Sequence, residues 1–89
     1  MRLTIIPEDN AVIIDNESKI LDLSTVQIPS TVHALQWFDT KGWIEPKESE
    51  DPFIPKEPNQ IIEVLPQWAE DCVILYNSYI PPAQPTVQP

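Results

Sequence analysis

Short apolar runs separated by polar turn residues dominate the first half of this chain. Arg2-Leu3-Thr4-Ile5-Ile6 is rich in β-branched residues and is stopped by Pro7, the signature of a strand. Pro7-Glu8-Asp9-Asn10 carries turn chemistry, because Asn and Asp tolerate positive φ and bond their own backbone. Ala11-Val12-Ile13-Ile14 reads as a returning strand, Asp15-Asn16-Glu17-Ser18 as a second polar turn, and Lys19-Ile20-Leu21-Asp22-Leu23 as a third strand. The first 23 residues therefore predict a three-stranded meander. Ser24 to Thr31 connects it to the next element, with Pro29 holding Ile28 extended and with Val26 and Ile28 able to reach a core.

Val32 to Phe38 predicts a fourth strand. Val32, Ala34, Gln36 and Phe38 alternate with His33, Leu35 and Trp37, and neither set is purely polar, so the pattern leaves the inward face open. Asp39-Thr40-Lys41-Gly42 fits a type I turn followed by a left-handed glycine, and Trp43-Ile44-Glu45 gives a fifth strand ending at Pro46. The stretch from 46 to 58 is acidic and proline-punctuated, which rules out a helix and reads as an exposed loop. Its Phe53-Ile54 pair is apolar in otherwise polar surroundings, and either pins the loop to the core or meets a partner.

Asn59-Gln60-Ile61-Ile62-Glu63-Val64-Leu65 is ambiguous. Asn59 is a good helix cap while the β-branched residues favour a strand, and the reading here leans toward a short helical turn. Pro66 suits the first turn of a helix. Beyond it Leu65, Trp68, Ala69, Cys72, Leu75, Tyr76 and Tyr79 recur at three- and four-residue spacing, one apolar stripe that Pro81-Pro82 terminates. Residues 81–89 read as a polyproline-type tail. The expected architecture is α+β: a small antiparallel sheet of about five strands, meander plus tryptophan-containing hairpin, packed on one C-terminal helix. A single domain over residues 1–80 follows, with the tail outside it.

Composition narrows the function. Eighty-nine residues with 42% hydrophobic content and three tryptophans support one small core despite eleven prolines. Five Lys+Arg against fourteen Asp+Glu give a net charge of −9, which repels phosphate backbones and anionic membranes. An acidic DNA mimic or a partner of a basic protein suits that charge; so does a plain solvated surface. The single Cys72 excludes an internal disulfide framework and points to a reducing cytoplasm, or to a particle assembled there. The apolar run at the N-terminus is too short for a signal peptide, and no stretch approaches the roughly 20 apolar residues of a membrane span.

Candidate chemistry is sparse. One His and one Cys give too few ligands for a structural zinc site, and Glu48, Glu50 and Asp51 lack the ligand spacing of a calcium loop. Cys72 and His33 could form a nucleophilic dyad only if the apolar stripe carrying Cys72 were broken. One glycine cannot build a phosphate-binding loop. Pro82-Ala83-Gln84-Pro85 matches a bare P-x-x-P pattern without the basic flank such ligands use. The expectation is a protein with no cofactor, no metal and no enzymatic role. Phe53 and Ile54 in the loop, and Pro81, Pro82, Pro85 and Val87 in the tail, are the candidate partner-binding residues.

Several stretches together are similar to a group of small tailed-bacteriophage proteins. Leu3-Thr4-Ile5-Ile6-Pro7-Glu8-Asp9-Asn10-Ala11-Val12 resembles the group's opening, and Ile28-Pro29-Ser30-Thr31-Val32-His33-Ala34-Leu35-Gln36-Trp37 its most distinctive stretch. Gly42-Trp43-Ile44-Glu45 and Leu65-Pro66-Gln67-Trp68-Ala69 complete a likeness covering residues 1–79. The resemblance implies a virion structural protein, tail- or fibre-associated, made in the bacterial host cytoplasm and docking on larger tail, fibre or neck proteins. A homo-oligomer within a symmetric assembly is compatible with it. An assembly chaperone that leaves the particle is the alternative, and an acidic inhibitor of a host enzyme a third. The group brings no catalytic motif.

Overall fold

The computed structural model describes residues 1–48 and 51–79. Six antiparallel strands form one sheet: β1 (Arg2–Ile6), β2 (Ala11–Ile14), β3 (Glu17–Ile20), β4 (Val32–Phe38), β5 (Lys41–Pro46) and β6 (Gln60–Ile62), in spatial order β3-β2-β1-β4-β5-β6. One helix, α1 (Gln67–Ser78), follows. The chain is thus α+β, a meander and a hairpin zipped together by β1 against β4.

The turns explain the register. A 3-10 turn over Pro7–Asp9 ends on Asn10 in the left-handed region at φ 52°. Asp15 and Asn16 both take positive φ, at 49° and 71°, making a two-residue hairpin loop whose twist matches the strands. That loop is shorter than the four-residue turn expected from sequence, so β3 begins at Glu17 and ends at Ile20. Leu21 and Leu23, expected within the strand, lie past it and are buried instead. Asn10 holds that connection: its carbonyl accepts the Leu21 N–H at 2.8 Å, and its side-chain oxygen accepts the Leu23 N–H at 3.4 Å.

The β4–β5 hairpin also departs from expectation. Phe38 pairs with Lys41, so the loop is Asp39-Thr40, and Asp39 takes the left-handed conformation at φ 52°. The Trp37 indole N–H caps the loop by donating to the Asp39 carbonyl at 3.2 Å. Gly42 is no left-handed turn residue; it lies inside β5 opposite Trp37. Its requirement is steric. A Cβ there would run into the Gln36 carbonyl and stand 2.8 Å from the Trp37 Cα.

A bulge settles which face of β4 turns inward. Val32 pairs with Pro46 and Ala34 with Glu45, so two steps on β4 match one on β5 around His33. The extra residue flips the alternation, and Val32 joins Leu35 and Trp37 on the face that meets the helix. Sequence alternation placed Val32 opposite those residues, and a period of two cannot register an inserted residue.

The core lies between that face and α1. Leu3, Ile5, Val12, Leu35 and Trp37 from the sheet meet Ala69, Cys72 and Tyr76 from the helix, with Leu21 and Leu23 sealing the side. Leu65, Trp68, Val73 and Leu75 pack around its edge, so the predicted stripe is the buried one, although Tyr79 at its end is exposed. The helix begins one residue after Pro66 and stops at Ser78, before the double proline expected to end it. Its C-terminal end is tied to β3. The Tyr76 hydroxyl donates to the Glu17 carbonyl at 2.9 Å, while the Lys19 ammonium donates to the Tyr76 carbonyl at 3.3 Å and sits 4.1 Å from the Tyr76 ring centroid. A cation at the carbonyl end of a helix is electrostatically favourable.

Residues 60–62 form β6, correcting the helical turn expected there. Gly42, Trp43 and Ile44 pair with Ile62, Ile61 and Gln60, and this free strand edge outweighs the capping preference of Asn59.

Candidate docking surface

The register that buries Leu3, Ile5, Leu35 and Trp37 against the helix turns their neighbours to the opposite side. Across the sheet, Ile13, Thr4, Gln36, Trp43 and Ile61 stand in one row, and Arg2, Phe38 and Lys41 in the next. The helix packs on the other face. This second face is therefore open, and its large apolar side chains remain accessible: Phe38 is 39% exposed, Ile61 70%, and Ile20 at the far edge 63%. Thr4 and Gln36 satisfy one another in the middle, with the hydroxyl donating to the amide oxygen at 2.7 Å.

At the hairpin end of this face the aromatic residues gather. The Phe38 and Trp43 rings stack with centroids 5.7 Å apart and planes inclined by 29°. The Arg2 guanidinium lies 4.9 Å from the Phe38 centroid. Trp43 donates its indole N–H to the Glu45 carboxylate at 2.9 Å, which fixes the indole plane. Phe38, Lys41, Trp43 and Ile61 wall a shallow cleft of about 240 Å³, with Gly42 at its base. Two of the chain's five cations, Arg2 and Lys41, flank this apolar spot. Charge and apolar area are thus combined in a way the overall charge of −9 conceals.

The loop carries the second apolar feature. Asp51 to Ile54 forms a tight turn: the Ile54 N–H donates to the Asp51 carbonyl at 3.0 Å, and the Phe53 N–H to the Asp51 carboxylate at 2.9 Å. The turn lifts Phe53 off the body, 93% exposed, with Ile54 beside it also exposed. Of the two roles expected for this pair, pinning the loop to the core is not the one it plays. Pro81, Pro82, Pro85 and Val87 lie outside the described residues. Phe38, Trp43 and Ile61 were not anticipated as surface residues, because finding them requires the bulge at His33 and the pairing of β6.

A cleft of about 480 Å³ opens where β5, the loop and the start of α1 meet; Pro29, Pro46, Pro58 and Trp68 wall it, and among the described residues Glu57 is the one ionisable side chain lining it. Among the described residues no group of three or more His, Cys, Asp or Glu side chains could hold a metal ion. Among them too, no helix is long and apolar enough to cross a membrane. His33 is exposed at the bulge on β4 and Cys72 is buried in the core, so the two do not form a pair.

Burial, and then the Asp71 carboxylate, push the Cys72 thiol up to about 11. A raised pKa favours the fold while the thiol is protonated, and that contribution fades as pH climbs from about 9 through about 11. The Tyr76 phenol is raised in the same sense, by burial first and then by Glu17. Stability should therefore fall on the alkaline side of pH 9. Cys72 in native protein should react with a thiol reagent at pH 8 only at the rate of unfolding; immediate labelling of folded protein would contradict its place in the core.

No protein-family model matches the chain, and no curated protein or solved structure does so.

Proposed function

We propose that this protein is a non-enzymatic structural subunit that works by presenting folded surface to other proteins. The observation that carries this reading is the disposition of its apolar surface. A turn displays Phe53, and an aromatic cleft lies open on the sheet face away from the helix. Apolar side chains clustered at the surface, as Phe38, Trp43 and Ile61 are, suit contact with another protein.

The resemblance to small tailed-phage proteins supplies the setting: a tail- or fibre-associated component of the virion, docked on larger phage proteins. Mass spectrometry of purified particles tests it. Stoichiometric presence supports a virion subunit. Detection in infected cells and not in particles would replace that reading with an assembly chaperone, and detection in neither would remove the phage setting altogether.

A further inference from the structure

We infer that two copies of this chain join edge to edge, β6 of one pairing antiparallel with β6 of the other about a two-fold axis at Ile61. The inference rests on the structural-subunit reading and names the first partner such a subunit meets.

Hydrogen-bond alternation fixes what β6 offers. The Asp39 N–H donates to the Met1 carbonyl at 2.9 Å, so Trp37 and Leu35 also turn their peptide groups toward β1, and Phe38 and Gln36 turn theirs toward β5. Lys41 and Trp43 answer Phe38 and Gln36, which leaves Gly42 and Ile44 facing β6. Gly42 and Ile44 meet Ile62 and Gln60, and Trp43 stands opposite Ile61 in the unbonded position. The N–H and C=O of Ile61 therefore both point off the edge of the sheet. Among the described residues, no hydrogen bond from a loop or side chain reaches residues 59–64.

The two edges of the sheet differ in their protection. β3 carries Glu17 and Lys19, and the last turn of α1 is bound to it through Tyr76. Charges and covering segments on an edge strand discourage pairing. β6, Gln60-Ile61-Ile62, carries no charge, and Ile61 is 70% exposed.

A second copy is the occupant this edge fits. The outward donor and acceptor of β6 both belong to its middle residue, so the strand is complementary to itself: each Ile61 N–H meets the Ile61 carbonyl of the other copy. The two Ile61 side chains then lie side by side on the open face, about 5 Å apart. Continued outward, the register sets Asn59 opposite Glu63, Glu57 opposite Leu65 and Lys56 opposite Pro66, so no two carboxylates stand directly opposed. In β5, one strand further in, Lys41 offsets Glu45. With one lysine against two glutamates over residues 56–64, self-association here meets less repulsion than the overall charge of −9 implies.

Sedimentation velocity of the full chain, from about 10 μM to about 1 mM, reads the association over the range expected of a small interface. A monomer–dimer equilibrium is expected. It should tighten severalfold when salt rises from about 0.1 to about 0.5 M, because screening relieves repulsion between two acidic chains. Amide hydrogen exchange locates the contact: the Ile61 N–H should slow at least about fivefold where dimer prevails. Ile61→Pro deletes that outward donor and spares the β5–β6 bonds, which involve Gln60 and Ile62. It should weaken association at least about tenfold, and Ile61→Lys, which sets like charges together across the axis, should do the same. Ile20→Lys adds the same charge at the opposite edge, at a site 63% exposed, and should not weaken it.

Wild-type protein monomeric throughout, Ile61→Pro associating as well as wild type, or an Ile61 amide whose exchange ignores concentration would each overturn the pairing. Protection of Ile61 that arises in particles and never in the isolated protein would assign the edge to another protein's strand, and overturn it too. A monomer in solution that is stoichiometric in particles removes this inference and leaves the structural-subunit reading intact. A dimer of this kind, absent from particles and infected cells alike, removes the phage setting and leaves the pairing.

Discussion

Gly42→Ala should destabilise the fold by about 2–4 kcal/mol, a large share of the roughly 4–13 kcal/mol available to a domain of this length. The added methyl would collide with backbone: the Gln36 carbonyl and the Trp37 Cα, across a strand pair locked on both sides by β1 and β6. A flexible side chain could swing aside from such a contact, but a paired backbone cannot. Relief requires β4 and β5 to separate, and their separation disturbs Trp37, which is buried over this position. Urea unfolding followed by tryptophan fluorescence measures the effect. With a slope of about 1 kcal/mol/M for so small a protein, the midpoint should drop by about 2–4 M or the protein should fail to fold. Thr40→Ala, one turn position away and exposed, should move it by less than about 0.5 M. Equal midpoints for Gly42→Ala and wild type would show that the strands do not approach as closely as described.

Gly42 also illustrates what can be read from the chain before its fold is known. The need for glycine was visible, but the reason was not. Sequence alone suggested a left-handed turn residue, a requirement local to four residues, whereas the observed requirement is the approach of a strand five residues earlier in the chain. The left-handed position falls to Asp39, a residue type that tolerates it. Local rules worked where the deciding contacts were local. The strands over residues 2–6 and 11–14 follow from β-branched runs bounded by turn residues, and the helix stripe at Ala69, Cys72 and Tyr76 follows from its spacing.

Local rules failed where a distant strand decided. Residues 60–62 carry a mixed signal that only the exposed edge of β5 resolves. The bulge at His33 has no periodic signature, and without it the inward face of β4 could not be chosen. The candidate surface inherits both difficulties. Phe53 and Ile54 stood out as apolar residues stranded among prolines and acids, and they are exposed. The aromatic cleft draws on β4, β5 and β6, three strands whose facing depends on that bulge and that edge pairing. No pattern confined to one segment could have assembled Phe38, Trp43 and Ile61.

Leu35→Ala reads out directly which face of the sheet meets the helix. Leu35 lies at the centre of β4, paired with Ile5 on one side and Ile44 on the other, with none of its surface exposed. It belongs to the cluster that includes Ala69 and Cys72 of the helix. Truncating it removes apolar burial and leaves a cavity that paired strands on both sides cannot collapse to fill, a loss of about 2–5 kcal/mol. For a domain of this size each kcal/mol lowers the melting temperature by roughly 4–8 °C, so a fall of at least about 10 °C is expected. Ile61→Ala removes a similar amount of apolar side chain from the open face, where 70% is already in water, and should lower it by only a few degrees. The comparison discriminates because both residues are aliphatic strand residues and differ chiefly in the face they occupy. If Ile61→Ala proved the more damaging of the two, the helix-covered and open faces would be exchanged, and the cleft at Phe38 and Trp43 would belong to the core.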